Sequence, residues 1–394
     1  MRILMVHNRY RAGTPGGEDA VVDAESRLLE SAGHEVIRYE RSNDEMSEDR
    51  WVDAMRTVAG LYHSRRTQRE LSALIARHRP EVAHIHNTFP LISSSAHAVC
   101  AAARLPIVQT VHNYRYSCAA GTHYRVGPSG GAVCESCTPQ RRWAAVRHRC
   151  YRGSLAGSAA VALMISAQRR SVLERGRVAR FIALSEFAAE RLKAAGVSCD
   201  RIVVRPNFVD ELPAPYTGPR RHAVYSGRLS PEKGLRTLLE AWRNLSDLPL
   251  KVIGDGPFRE ALERQVREEG LNVEFLGMRP RSESLQLVRE ALLQVVPSEW
   301  FEGMPLVVLE AWGLEVPIVV SRIGSLIEMA GGDSRALTFP PGSAAELAAQ
   351  VRRLQQSNEL RAALVAAGRE RVTREHSRER ALASLLEIYR QARS

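Results

Sequence analysis

The sequence predicts an α/β protein of two Rossmann-like, doubly wound parallel-sheet domains, and three observations carry that prediction. Short β-branched runs alternate with helical stretches from one end of the chain to the other, the pattern that parallel sheets with crossover helices require. The alternation breaks at Leu212-Pro213-Ala214-Pro215-Tyr216-Thr217-Gly218-Pro219, a Pro/Gly-rich stretch with the composition of a linker, and then restarts. The chain has 394 residues, enough for two sizeable cores.

In the first half, strands are expected at Arg2 to Val6, Glu35 to Tyr39, Val82 to His86, Ile107 to His112, Phe181 to Ser185 and Ile202 to Arg205. In the second they are expected near His222 to Ser226, Leu250 to Ile253, Val273 to Leu276, Leu293 to Val296, Ile318 to Ser321 and Ala336 to Phe339. The expected domains are residues 1–212 and 220–376, followed by a terminal helix over 377–394 with Leu382, Leu385, Leu386 and Tyr389 on one face. A net charge of +11, almost all from arginine, fits an anionic partner: a nucleotide sugar, a lipid phosphate, an acidic leaflet or nucleic acid. It fits arginine-rich codon usage equally well. Arg2 to Val6 is too short for the apolar core of a signal peptide, and Leu155 to Ala167 is too short to span a bilayer. The expectation is a cytoplasmic protein, peripheral at most to the inner face of the membrane.

The most informative segment is Glu302-Gly303-Met304-Pro305-Leu306-Val307-Val308-Leu309-Glu310, between a buried strand and a helix. Pro305 is expected at the first helical position, and Gly303 lets the backbone approach a ligand closely. The helix N-terminus would hold a diphosphate, Glu310 would accept from a ribose diol, and Glu302, still in the loop, would meet a sugar. A second constellation runs from the strand ending at Ser226 through Gly227-Arg228-Leu229-Ser230-Pro231-Glu232-Lys233-Gly234 into a helix carrying Leu235, Leu238, Leu239 and Trp242. Ser230 is expected as N-cap and Pro231 as first helical residue. Arg228 and Lys233 therefore flank one strand-to-helix turn, where open parallel sheets bind ligands. Two fixed cations there suit a diphosphate leaving group, so no catalytic metal is expected.

The Glu-x7-Glu element, the Gly-Arg-x4-Lys-Gly turn, and Gly254-Asp255-Gly256-Pro257 after a strand together resemble the retaining GT-B glycosyltransferases of family 4, in order and spacing, over most of the chain. The resemblance implies two domains with ligand in the gap between them and a terminal helix returning to the first, acceptor-side domain. It implies a nucleoside-diphosphate sugar as donor and a glycan or lipid-linked acceptor, with bacterial surface polysaccharide or glycoconjugate synthesis as the setting. The acceptor would attack the face from which the diphosphate leaves, with Arg228, Lys233 and the Glu302 loop lowering the barrier electrostatically and Glu302 chiefly positioning the sugar. The base would rest between the Gly254 to Pro257 turn and the loop Gly277 to Ser282, with Met278 as an apolar contact.

In the first half, Arg11-Ala12-Gly13-Thr14-Pro15-Gly16-Gly17-Glu18 precedes a helix carrying Val21, Val22, Leu28 and Leu29. Gly16 and Gly17 can bring N–H groups against a phosphate or sugar, or merely close the loop; the resemblance favours the former. His112 ends an apolar strand, and the resemblance places it against the donor sugar. His84 and His86 fit core packing or site lining. Gly324-Ser325 and Glu328 are expected near the acceptor.

Neither a Ser-His-Asp set nor a His-Glu-x2-His helix is evident. A nucleotide-sugar 2-epimerase on the same fold is one alternative, but the acid-base carboxylates and histidines it needs are not apparent. A non-catalytic, zinc-bearing nucleic-acid-binding protein is another, disfavoured by Arg228, Lys233, Glu302 and Glu310 together.

Six cysteines in a chain expected in the cytoplasm argue against a disulfide framework. Cys118, Cys134, Cys137 and Cys150 fall in an irregular insertion at about 113–152, with gaps of fifteen, two and twelve residues compatible with a four-thiolate structural zinc. Disulfides or free thiols are the other readings. Gly127, Pro128, Gly130 and Gly131 make a loop that a metal would tie down. Cys100 and Cys199 read as ordinary helix and loop residues. Arg141-Arg142-Trp143, Arg147-His148-Arg149 and Tyr151-Arg152 mix cations with aromatics, which suits a lipid headgroup surface, nucleic acid or a solvated rim; a membrane or acceptor surface is the favoured expectation.

Overall fold

The computed structural model describes residues 1–13, 16–46, 63–127, 130–138, 141 and 143–394. Thr14, Pro15, Pro128 and Arg142, named above, lie outside the described residues. Strands in chain order are β1 (Arg2–Arg9), β2 (Glu35–Ser42), β3 (Val82–Ile85), β4 (Ile107–Val111), β5 (Tyr124–Gly127), β6 (Gly130–Val133), β7 (Arg180–Ala183) and β8 (Ile202–Val204). They continue with β9 (Ala223–Ser226), β10 (Leu250–Ile253), β11 (Val273–Gly277), β12 (Leu293–Val296), β13 (Ile318–Ser321) and β14 (Leu337–Phe339). Two six-stranded sheets form, ordered β2-β1-β3-β4-β7-β8 and β11-β10-β9-β12-β13-β14, with every pair parallel. Each expected strand is present. Strands β3, β4, β12, β13 and β14 are buried almost throughout, which is why they read as unbroken apolar runs rather than alternating ones.

The chain divides into two compact units: residues 1–123, 134–206 and 379–394, and residues 124–133 with 207–378. The first unit's sheet is covered on one side by a core of Leu4, Val6, Ile85, Ile107, Phe181 and Leu192. On the other face Ile3, Met5, Val82, Val108 and Ile182 pack with Leu385, Ile388 and Tyr389 of the last helix, Arg378–Arg393. The buried stripe of that helix is Ala381, Leu385, Ile388 and Tyr389, turned from the expected face; Leu382 and Leu386 pack only partly buried against it.

In the second unit, the helix Leu235–Trp242 buries Leu235, Leu238, Leu239 and Trp242 at the i, i+3, i+4, i+7 positions that an amphipathic helix presents to a sheet. The Trp242 indole donates to Leu248 O at 2.9 Å. The boundary between the units falls at Pro206 and Asn207, upstream of the expected linker, because the backbone after Pro206 is already tied into the second unit. Val209 N donates to His376 O at 2.9 Å, His376 Nδ1 pairs with Asn207 O at 2.8 Å, and Asn207 Nδ2 donates to Met304 O at 2.9 Å. An unexpected antiparallel hairpin, β5-β6, belongs to the second unit although its flanks belong to the first. Its Tyr124 hydroxyl lies 3.4 Å from Pro231 O and 3.5 Å from a Glu299 carboxylate oxygen.

Candidate active site

In the second sheet β9 stands between β10 and β12, so the connections leaving β9 and β12 diverge to opposite sides and open a crevice at the strand ends. The Arg228 to Gly234 turn follows β9, and the Glu302 loop follows β12. The switch point of the sheet therefore brings together the two segments singled out in the sequence.

Lys233 Nζ donates to Glu302 Oε1 at 2.8 Å and stands 4.9 Å from the centre of the Trp300 ring. The same carboxylate oxygen accepts from Ser298 Oγ at 2.6 Å and Trp300 Nε1 at 2.8 Å, and the residue is buried. A cation and two neutral donors on one oxygen hold this carboxylate in a single orientation. Its loop is braced from a third segment, since Ser325 Oγ donates to Glu302 O at 2.9 Å. Ser325 thus supports the Glu302 loop from the start of the helix Ser325–Ala330.

Arg228 donates through its guanidinium to Glu232 Oε1 at 2.6 Å and to Ser230 Oγ at 3.2 Å, and Ser230 Oγ donates to the same Glu232 oxygen at 2.7 Å. Just over half of the Arg228 side chain remains exposed, against a tenth of Glu232. Glu232 is held below the usual carboxylate range: burial opposes its charge, and Arg228, Ser230 and backbone N–H donation outweigh that cost. The buried Tyr225 hydroxyl donates to Arg228 O at 3.0 Å. Its acidity is pushed well down by burial first and then by the charges of Glu302 and Glu232, so both carboxylates act on one phenol. Arg228 and Lys233, in one turn, thus each hold a buried carboxylate, Glu232 and Glu302.

Gly234 fixes this junction. It lies in the left-handed region at φ 69°, and a Cβ there would stand 1.8 Å from Pro297 O, in the loop after β12. The Gly254 turn is bound to the Arg228 turn by backbone: Gly227 N donates to Ile253 O at 3.0 Å and Leu229 N to Asp255 O at 2.9 Å. A Cβ on Gly254, at φ 131°, would meet Gly227 O at 2.0 Å, and one on Gly256 would meet Leu229 O at 2.4 Å. Gly254 N donates to Gly277 O at 2.9 Å, and beyond Gly277 the Met278 side chain is exposed.

Two capping expectations change. Pro305 is the N-cap of the helix Leu306–Gly313 rather than its first residue, with ψ 122°, and its carbonyl accepts from Val308 N at 3.1 Å. Ser230 precedes a single 3-10 turn, Pro231–Lys233, and its hydroxyl serves Glu232 and Arg228 instead of a backbone N–H; the α-helix starts only at Leu235. Glu310 lies in the second turn of its helix, paired with Arg281 at 2.9 Å. Burial raises its carboxyl above the usual range and Arg281 partly offsets this. Gly303 and Met304 complete the loop, with Met304 buried.

In the first unit, His112 follows β4. Its Nε2 pairs with His86 Nδ1 at 2.8 Å, and the two rings stack with centroids 5.2 Å apart. Burial pushes His112 down to about 4. It lines a pocket with Glu18, Asn113, Arg115 and Phe89. Asn113 Nδ2 donates to Glu18 Oε1 at 3.0 Å, and burial raises the Glu18 carboxyl. His86 and His84 are buried, and burial drives both well below the ordinary imidazole range.

Gly16 caps the helix Gly17–Ser31, but its N–H is already taken by Asp19 Oδ2 at 3.1 Å. A Cβ on Gly16 would press 2.6 Å from the Tyr10 ring, whereas one on Gly17 would meet open space. Asp19, missed in the sequence, also accepts from the buried His7 ring at 2.7 Å. Its signal was the Gly-x2-Asp spacing of a capping box.

Among the described residues, Glu25, His84 and His86 are the group of three whose potential metal-ligating atoms all lie within 4.8 Å of one another. They do not suit an ion: His84 uses both ring nitrogens, on the Tyr389 and Thr110 hydroxyls at 2.8 Å each, and Glu25 is bound to the Arg205 guanidinium at 2.5 Å. No helix among the described residues is long and apolar enough to cross a membrane.

Known proteins share this fold. TuaC of Bacillus subtilis (strain 168), a glycosyltransferase named for teichuronic acid biosynthesis, is 28% identical over 321 residues, covering 78% of this chain and 67% of its own length. Matches to several other curated relatives span about half of those proteins or less. Among solved structures, a sucrose-phosphate synthase from Thermosynechococcus elongatus aligns with TM-score 0.74 at 18% identity, over 99% of this chain and 98% of that one. Anabaena HepE, solved in complex with UDP, aligns with TM-score 0.65 at 16% identity, over 98% and 99%. The family profile described as Glycosyl transferases group 1 matches residues 216–371, and that described as Glycosyltransferase Family 4 matches residues 15–211. With half of its length under the second profile and the two-sheet fold of its structural neighbours, the chain belongs to Glycosyltransferase Family 4 and is a glycosyltransferase of GT-B type.

Proposed function

We propose that this chain is a retaining, metal-independent glycosyltransferase moving a sugar from a nucleoside-diphosphate sugar to a glycan or lipid-linked acceptor, in the synthesis of a bacterial surface polysaccharide or glycoconjugate. The observation that carries the reading is the Lys233–Glu302 pair at the switch point, with Arg228 in the same turn. An ammonium has three donors and a guanidinium five, so each can keep its carboxylate and still reach a phosphate oxygen. As the glycosidic bond breaks, negative charge grows on the departing diphosphate, and two cations already fixed beside it lower the barrier without reorganising. Glu302 is suited to orient the sugar rather than to attack it, because one of its oxygens already serves three donors.

In this reading Gly303, Met304, Pro305 and Leu306 present backbone to the diphosphate, and Glu310 exchanges part of its Arg281 contact for the ribose. Gly254, Gly256 and Met278 border the base. His112, neutral at pH 7, faces the sugar, and Gly16 and Gly17 allow close approach of backbone. The resemblance in motif order and the UDP complex of the HepE neighbour support the donor class. The stretch from Arg141 to Arg152, with an exposed Trp143, is proposed to rest on the inner membrane surface. Cosedimentation with vesicles containing phosphatidylglycerol but not with neutral vesicles is the expected result; equal binding to both would remove that contact.

The decisive experiment is turnover of a panel of nucleotide sugars in excess chelator, with the anomeric configuration of the product read by NMR. Activity that survives chelation, with configuration retained, is expected. Lys233→Ala should lower kcat by about 10²- to 10³-fold, the scale of removing one fixed charge-stabilising donor. An inverted product, or a Lys233→Ala rate near wild type, would overturn the proposal.

A further inference from the structure

We infer that Cys118, Cys134, Cys137 and Cys150 form a structural zinc site that ties the insertion after β4 together, independently of sugar transfer. The four residues come to one small region of the first unit. Ala119, beside Cys118, shares an apolar cluster with Ala145, Ala160, Val161, Met164 and Ile165, and Cys137 and Cys150 pack against that cluster. Ala145, in the same cluster, holds one of the cysteines by its backbone, its carbonyl accepting from Cys150 N at 3.0 Å. Cys134 follows the hairpin, where its N–H donates to His123 O at 2.7 Å, and the two-residue gap to Cys137 is that of a metal knuckle.

The apolar cluster at the insertion is small. Three of the six buried members of its apolar cluster are alanines, and its strands expose Val126 and Val133. His123, Arg149 and Arg152 adopt left-handed backbone at φ 51°, 49° and 52°. Such residues persist where something else fixes the chain. All six cysteines are free thiols in this structure, and among the described residues no three of their sulfurs stand within 4.8 Å of one another. A tetrahedral ion with Zn–S bonds of about 2.3 Å brings sulfurs to about 3.8 Å. Binding would therefore draw the thiols inward as each loses its proton to solvent, and with all four positions filled by protein the ion keeps no open site for chemistry.

The test is metal analysis of the full-length protein, expressed with zinc in the medium and purified without a metal-affinity step. About one zinc per chain is expected, released in step with thiol modification by an organomercurial. The metal should be retained in C199S, whose thiol is exposed and outside the cluster, and lost in C134S/C137S. Cobalt loaded in place of zinc should give thiolate-to-metal charge-transfer absorption in the wild type and none in the double variant. Should that variant fail to fold, mercurial release and the cobalt spectrum of the wild type decide alone. Zinc-free protein whose four thiols alkylate freely, zinc content undiminished in C134S/C137S, or a disulfide among the four found by mass spectrometry would each overturn the assignment.

Discussion

Lys233 can meet Glu302 only because the next residue has no side chain. At Gly234 the backbone is left-handed, and a methyl group would fall 1.8 Å from Pro297 O, so the turn after β9 and the loop after β12 would have to separate. Gly234→Ala is expected to cost more than about 1 kcal/mol from backbone strain alone. Its larger effect should be on the site, since parting those segments stretches a 2.8 Å ion pair. The measurement is a thermal-shift series with nucleoside diphosphates. Wild type should gain about 2.7 kcal/mol at a hundred times the dissociation constant, and the variant should gain much less; an equal gain would show that the junction does not shape the site. Glu302→Gln is a finer probe, because an amide oxygen can still accept from Ser298 and Trp300 while its charge toward Lys233 is gone. Reduced kcat with little change in KM is expected if Glu302 and Lys233 act as the bond breaks, and kinetics like wild type would exclude that role.

At the scale of elements, the ends of β3 and β4 place three neutral histidines side by side, and this has a pH signature. His84, His86 and His112 are each depressed by burial, His112 to about 4, against an unfolded value near 6.5. Between those values the unfolded chain binds more protons than the folded one, so stability rises with pH there. The contribution is complete above pH 6.5 and is lost as pH falls toward the folded values. Calorimetry between pH 7 and 5 should show a falling unfolding temperature, and His112→Gln should flatten the slope by up to about 1.4 kcal/mol per pH unit. An unchanged slope would mean that His112 is already charged in the folded protein. The strands that carry these residues were legible because a parallel sheet buried on both faces demands long β-branched runs. The partners were not. His86 and His112 are 26 positions apart, and Ser325 braces Glu302 from 23 positions away, so neither contact follows from local periodicity. The β5-β6 hairpin escaped for a related reason, since its valines face solvent and leave no apolar pattern. Pro305 misled because proline fixes φ and leaves ψ free, so the residue could serve as cap as well as first turn.

At the scale of the whole chain, the first unit is completed by its last sixteen residues, Glu379–Ser394. Leu385, Ile388 and Tyr389 cover the sheet face made by Ile3, Met5, Val82, Val108 and Ile182, and Tyr389 adds a hydrogen bond to His84 at 2.8 Å. Arg205, whose partner is the buried Glu25, also donates to Ala381 O at 3.3 Å. Burying each large apolar side chain is worth about 1.5–3 kcal/mol. Three of them amount to roughly 4–9 kcal/mol, comparable with the whole stability of a domain, about 5–15 kcal/mol. Removing residues 379–394 should therefore unfold the first unit, although the strands it uncovers begin at the opposite end of the sequence. The second unit holds its own core, with Trp242 and Trp312 fully buried, and should keep a cooperative transition visible in their fluorescence. Limited proteolysis of the truncated chain should then cut within residues 1–206 while sparing 220–378. Tyr389→Phe, which removes only the hydroxyl on His84, should cost about 1 kcal/mol and leave both units folded. If instead the truncated chain resists protease throughout, the terminal helix covers a sheet that is stable without it, and the first unit's core must be counted from β1 to β8 and their helices alone.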